Sequence, residues 1–124
     1  MQGEIGAKIA AAELSATGAN PDLPGMSEAK AKKKFGKHGE EYPVGTTAED
    51  FKQKADELVR SPVGGDIHGF KTKDGEVVRF DNLTGDFVIG DLSGTMTMFK
   101  PRYKSGRGME YFNEQQIEHG GNHD

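Results

Sequence analysis

The apolar residues of this chain change period once. Up to about residue 62 they recur at helical spacing, and from Gly64 onward they alternate in short runs. In "GEIGAKIAAAELSATG" (3–18), Ile5, Ile9 and the alanines predict a short helix, and "GANPDLPG" (18–25) reads as a linker because prolines and glycines crowd it. A second helix is expected from Ser27 to about Phe35, capped by Ser27 and stopped by Gly36, with lysines in its last turns complementing the helix dipole. The third is the clearest. In "TTAEDFKQKADELVRSP", Thr46 and Glu49 have capping-box spacing, Phe51, Ala55, Leu58 and Val59 make one apolar stripe, and Pro62 ends the helix.

Four β-type runs follow: "GDIHGFKT", "GEVVRFD", "GDFVIGD" and "GTMTMFK". Asp74-Gly75 signals a hairpin, while "NLTGD" and "DLSG" read as longer glycine-containing turns. Connections this short force antiparallel pairing, so the four strands should form a meander. The fold class expected is therefore α+β, with N-terminal helices packed on one face of a roughly four-stranded antiparallel sheet and the other face open. Parity in "TMTMFK" puts Met96 and Met98 on one face and Thr95, Thr97 and Phe99 on the other. With the methionines under the helices, the threonines would look onto the open face, and Lys100 would reach it only where the strand bends or ends. The expected organisation is an appendage over 1–25, a folded domain over 26–118 and a flexible tail over 119–124.

Composition narrows this picture. At 124 residues with 33% hydrophobic positions and eighteen glycines, the chain can bury one modest core. The absence of cysteine excludes disulfides and thiolate metal sites. No stretch approaches a membrane span, and the N-terminus lacks the basic start and apolar run of a signal peptide; if this domain leaves a cell, its export signal is expected elsewhere, for example upstream in a longer parent chain. The net charge of −4 argues against a general nucleic-acid coat, yet Lys30, Lys32, Lys33, Lys34 and Lys37 fall within eight positions with no acid among them. Such a run is either a solvated helix end or a phosphate-binding patch on an acidic protein.

The candidate chemistry centres on "FGKHGEEYPVG" (35–45), where Lys37 and His38 stand side by side before Gly39. A histidine moves protons near neutral pH, and a neighbouring ammonium supplies fixed positive charge. Cleavage of a phosphodiester by its own 2′-hydroxyl needs those two services. The dipeptide alone is equally compatible with an idle surface histidine. His68 reads as a strand-edge histidine without a task, and His119 and His123, in "EHGGNHD", as part of a frayed end. No metal site is assigned. Thr95, Thr97 and Lys100 gather near one strand end, where hydroxyls and an ammonium can hold phosphate, or simply reflect strand preference. No P-loop, dinucleotide fingerprint, nucleophile elbow or zinc-protease motif is present.

Three segments in order, "KKFGKHGEEY", "VVRFDNLTGDFVIGDLSGTMTMFKP" and "GMEYFNEQ", resemble the C-terminal toxin domains of bacterial contact-dependent growth inhibition and related polymorphic toxins. The resemblance covers residues 30 to 116. It rests on Lys37-His38-Gly39, Arg79-Phe80-Asp81, Thr84, Phe87, Asp91, Gly94, then Thr97, Phe99-Lys100-Pro101, and Tyr111-Phe112 with Gln115. That family is similar to colicin D-type and barnase/RelE-like ribonucleases. It implies helices against an antiparallel sheet and metal-independent cleavage of RNA, often tRNA. It also implies neutralisation by a cognate immunity protein, delivery from the cell surface as part of a larger exported protein, and action in the target cytoplasm. A host cofactor protein is a further possible partner, and no small cofactor is implied.

The resemblance makes His38 the general base or acid and Lys37 its electrostatic companion, with Thr97 and Lys100 holding the scissile phosphate. Lys33, Lys34, Thr95, Arg79 and His68 would contact substrate, with affinity falling steeply as salt rises. Glu40-Glu41-Tyr42-Pro43 departs from the family's pattern after Lys-His-Gly, and Met98 from its Thr-Phe-Phe-Lys-Pro. Two rivals stand beside this expectation. One is a module that binds RNA or protein without cutting; the other is a metal-dependent DNase using His68, His119 and His123.

Overall fold

The computed structural model describes residues 14–121. Helix α1 spans Glu28–His38 and runs into a 3-10 turn at Gly39–Glu41, and helix α2 spans Ala48–Arg60. Strands β1 (Ile67–Lys71), β2 (Val77–Asp81), β3 (Asp86–Asp91) and β4 (Gly94–Phe99) follow, then helix α3 (Gly108–His119). The sheet order is β1-β2-β3-β4, antiparallel throughout. This is the expected α+β meander.

Helix α2 buries the predicted stripe of Phe51, Ala55, Leu58 and Val59, together with Asp56. Its capping box lies one residue later than its spacing suggested: Thr47 accepts from the Asp50 N–H at 3.0 Å and Asp50 accepts from the Thr47 N–H at 3.0 Å. Helix α1 does not stop at Gly36. Phe35 packs on Tyr42 and Phe51, with ring centroids 6.2 and 5.7 Å away, and Gly39 keeps a right-handed helical conformation, so the turn carrying Lys37 and His38 stays helical.

The sheet has no open face. Leu23, Met26, Ala31, the α2 stripe, Val77, Val88 and Met98 form the core on the α1/α2 side. On the other side Phe70, Val78, Phe80 and Phe87 meet Phe112 of α3. Accordingly every residue of β2 is buried. The parity expected for β4 fails at one position. Between Ile89 and Gly90 the β3–β4 register slips, leaving Met96 as a bulge residue without a partner. Met96 is exposed, whereas Thr95 joins Met98 on the α1/α2 side. Thr97 and Phe99 keep the expected face, which is the α3 side.

Residues 14–25 are built into the domain. Arg79, fully buried in β2, donates from Nη1 to the Ala16 carbonyl at 2.8 Å, from Nη2 to Gly18 at 3.0 Å and from Nε to Ser61 at 2.8 Å. Asp56 accepts from the Met26 N–H at 2.7 Å and from Lys52 Nζ at 2.8 Å. Leu23 is fully buried in the core. Residues 14 and 15 have no regular structure and 16–18 form a bend, and the rest of the predicted first helix, with Ile5 and Ile9, lies outside the described residues. At the other end, the Gly121 N–H bonds the Lys71 carbonyl at 2.8 Å and the Lys73 N–H bonds that of His119 at 3.0 Å, tying 119–121 to the sheet.

Arg79→Ala would strip hydrogen bonds from several carbonyls, so it should cost about 3 kcal/mol or more in urea unfolding. A loss below about 1 kcal/mol would show that Arg79 does not hold the N-terminal segment. A second prediction concerns acid. Burial alone would raise the Asp81 pKa. The Lys54 ammonium and the N–H groups of Leu83 and Thr84 outweigh that and hold it below the ordinary value. The resulting stability is present above the unfolded aspartate value of about 3.9 and is lost as pH falls through the lower folded value. Asp81→Asn should therefore flatten the acid limb of a stability–pH curve.

Candidate active site

Continuation of α1 through Gly36 brings His38 to the free edge of the sheet, where β4 ends. Its ring stacks on Phe99, with centroids 5.6 Å apart and planes inclined by 26°. Its Nδ1 lies 2.7 Å from Glu41 Oε2. The other carboxylate oxygen, Oε1, accepts from the Lys100 backbone N–H at 2.7 Å. One carboxylate thus joins the end of α1 to the last residue before Pro101. His38 is mostly buried, and its Nε2 has no hydrogen-bond partner among the described residues. With Nδ1 donating to Glu41, the neutral ring carries its lone pair on Nε2. That arrangement suits an imidazole acting as a base.

Glu41 was not among the residues expected at the site. The readable signal was its spacing three residues after His38, which places both on one side of a helical turn. The same rule separates Lys37 from His38. Successive helical residues point about 100° apart, whereas Lys34, four residues earlier, shares the His38 side. Lys33 and Lys37 are exposed and Lys34 is half-buried.

Lys100 reaches this corner, but its charge is spent locally. Nζ donates to the Thr84 carbonyl at 2.8 Å, lies 3.2 Å from Asp86 Oδ1 and sits 4.7 Å above the centre of the Tyr42 ring. Thr84 Oγ1 donates to the other Asp86 oxygen at 2.7 Å. Burial, then the charge of Asp86, pushes the Tyr42 hydroxyl well above the ordinary tyrosine value. Among the described residues neither the Tyr42 hydroxyl nor Asp86 Oδ1 has a hydrogen bond of good geometry, so Asp86 Oδ1 depends on the nearby Lys100 charge.

The remaining expected residues divide. Thr97 lies two positions before Phe99 on the same strand face and is half-buried. Thr95 and Arg79 are buried and engaged inside the fold, Thr95 by the bulge that turns it towards Asp56 and Arg79 by the carbonyls it clamps, so neither faces a ligand. His68 lies on β1 at the far side of the sheet, against Phe112 with ring centroids 5.9 Å apart. It is remote from β4 in strand order. Among the described residues no three His, Asp or Glu side chains lie where they could share a metal ion, and His123 lies outside them. Nor is any helix among them long and apolar enough to cross a membrane.

One basic segment had escaped notice in the sequence. Lys100, Arg102, Lys104 and Arg107 fall in the β4–α3 connection without an acid between them. Clefts of about 540 and 520 Å³ flank that connection, and both reach Glu41 and Lys100. No protein-family model matches the chain, and no curated protein matches it significantly.

Lys100→Met should leave Asp86 as an uncompensated buried carboxylate and cost about 3 kcal/mol in urea unfolding at neutral pH. Adding Asp86→Asn should restore most of that loss. A single variant as stable as the parent chain would show that the ammonium does not balance Asp86.

Proposed function

We propose that the chain is an RNA-cleaving toxin domain acting by metal-independent transesterification. The observation that carries this is the His38 ring, fixed by Glu41 on one nitrogen and by Phe99 on one face, with Nε2 unengaged at a sheet edge flanked by lysines. In this scheme Nε2 takes the proton of a ribose 2′-hydroxyl. The 2′-oxygen bonds to phosphorus, and the 5′-oxygen leaves with its electron pair and takes up a proton. The products are a 2′,3′-cyclic phosphate and a 5′-hydroxyl end.

Charge building on the phosphoryl oxygens needs a cation. Helical spacing favours Lys34, on the His38 side of α1, with the exposed Lys37 contributing to the field around it. Thr97 is the hydroxyl on the neighbouring strand face. Lys100 contributes its backbone N–H by holding Glu41 in place, and its ammonium could meet a phosphate only in competition with Asp86. The motif resemblance supports tRNA as the RNA, a cognate immunity protein as inhibitor, and export within a larger cell-surface protein.

Binding without cutting is the second reading. It is favoured by one observation, the pairing of Lys100 with Asp86, which removes the expected phosphate ligand. Incubation of bulk tRNA with the full chain in EDTA decides between them. The expected outcome is new ends bearing 2′,3′-cyclic phosphate, with His38→Ala slowing their appearance by about 10²–10⁴-fold. Intact RNA would leave the binding reading, and equal cleavage by both proteins would show that His38 is not the base.

A further inference from the structure

The β4–α3 connection has a shape that phosphate handling does not require. Arg102 sits at φ = +50°, a backbone region that side-chain-bearing residues rarely adopt. The turn is held there on both sides. The N–H groups of Ser105 and Gly106 return to the Arg102 carbonyl at 3.1 and 3.0 Å, and the Arg102 guanidinium grips both oxygens of Glu114 on α3, at 3.2 and 2.6 Å. What this fixed turn presents is Tyr103, 37% exposed, with Lys104 Nζ 5.9 Å from its ring centre.

The turn forms one wall of the 520 Å³ trough. Phe99 and Tyr111 line the trough with Tyr103, Lys104 and the Glu41 carboxylate. Lys100 is paired with Asp86 and Arg102 with Glu114, so among the described residues Lys104 is the lining cation without an acidic partner. Phe99 is braced by His38 on one side and by the edge of Tyr111 on another, with the Tyr111 centroid 5.8 Å away at 78°. Arg102 lies 5.7 Å from the Tyr111 ring centre. An aromatic-lined groove carrying cations is the form that binds single-stranded nucleic acid, where bases stack and phosphates meet positive charge. A second basic run, Lys30 to Lys37, lies on α1, which ends at His38, so cations stand on both of the chain segments that meet at that residue. On a chain of net charge −4 these two runs are a local exception.

We infer that the trough beside Phe99 is a stacking subsite for one unpaired nucleobase, with Tyr103 as its principal platform and Lys104 meeting the adjoining phosphate. The ligand class is single-stranded RNA, because a base inside a duplex has both faces occupied by its neighbours. This subsite rests on the ribonuclease reading for its strand, and it places the scissile linkage next to the base held in the trough. It also makes Tyr103 a specificity-determining residue that touches substrate without moving a proton.

The test uses the full chain and an end-labelled RNA hexamer with 2′-O-methyl sugars, which has no 2′-hydroxyl to attack phosphorus. Anisotropy is read at low salt. The expected result is saturable binding of the single strand and at least fivefold weaker binding of the same hexamer annealed to its complement. Tyr103→Leu, checked by its melting curve, should weaken single-strand binding about tenfold, as loss of one stacked base does, while Tyr103→Phe stays within about twofold. The inference is overturned by equal binding of Tyr103→Leu, by equal binding of the duplex or of an abasic hexamer, or by no binding at all. Tyr103-independent binding of polyglutamate as tight as that of RNA would also overturn it, assigning the patch to charge alone. Strand breaks in the unmodified hexamer are scored in parallel. Binding with the expected Tyr103 dependence but no breaks would sink the ribonuclease reading and leave the subsite, whereas breaks indifferent to Tyr103 would do the reverse.

Discussion

The Glu41 carboxylate is the joint on which the candidate site depends. Its two oxygens face partners from separate parts of the chain, His38 Nδ1 on α1 and the Lys100 N–H at the end of β4, each at 2.7 Å. The second of these answers a structural need. β4 is an edge strand, so the outward N–H groups near its end have no ladder partner, and Pro101 supplies none. Glu41 satisfies the last of them and, in the same contact, fixes the imidazole against Phe99. Remove the carboxylate and both the end of the strand and the orientation of the ring lose their restraint.

Other buried charges work inside the fold besides Asp81, each with a separate duty. Arg79 holds the carbonyls of a segment with little secondary structure, Asp56 anchors the start of α1 to α2, and Asp86 sits under Lys100. Buried charge is retained at a cost in desolvation, and here each ion has partners that offset it. The fit around Arg79 is close: a side chain at Gly69 would meet its guanidinium and lie 2.7 Å from the Val78 carbonyl. Gly69 thus leaves the room on β1 that the guanidinium needs. A chain with so modest an apolar fraction can thus order residues 14–25 without a helix of its own, which adds Leu23 to the core.

Much of this architecture was legible in the residues. The α2 stripe and the four-strand meander follow from period and turn chemistry, because in each the apolar pattern is strong and the turns are short. Helix α3 was less visible, since only Phe112 and the half-buried Met109 and Tyr111 face the sheet while most of its surface is polar. Gly36 looked like a stop, but tertiary packing by Phe35 outweighed its weak helix preference. Strict alternation misplaced Thr95 because a bulge at Met96 shifts parity by one, and nothing local in "TMTMF" announces it. Arg79 looked like a substrate contact because arginine usually lies at the surface; its acceptors are backbone carbonyls up to 64 residues away in sequence, which no motif records.

The site was half legible. His38 was expected to share a site with Thr97 and Lys100; it does lie where β4 ends, but the Lys100 ammonium turns to Asp86. Glu41, Phe99 as its stacking partner and the basic turn at Arg102 were not expected, since each matters only once α1 meets β4. The central claim concerns one proton, and long-range proton–nitrogen NMR of the histidine rings at alkaline pH measures it directly. The account predicts that neutral His38 carries its proton on Nδ1, shared with Glu41, with Nε2 bare, and that Glu41→Gln disturbs that signal alone among the histidines. A proton found on Nε2, or a His38 signal indifferent to Glu41, would contradict it.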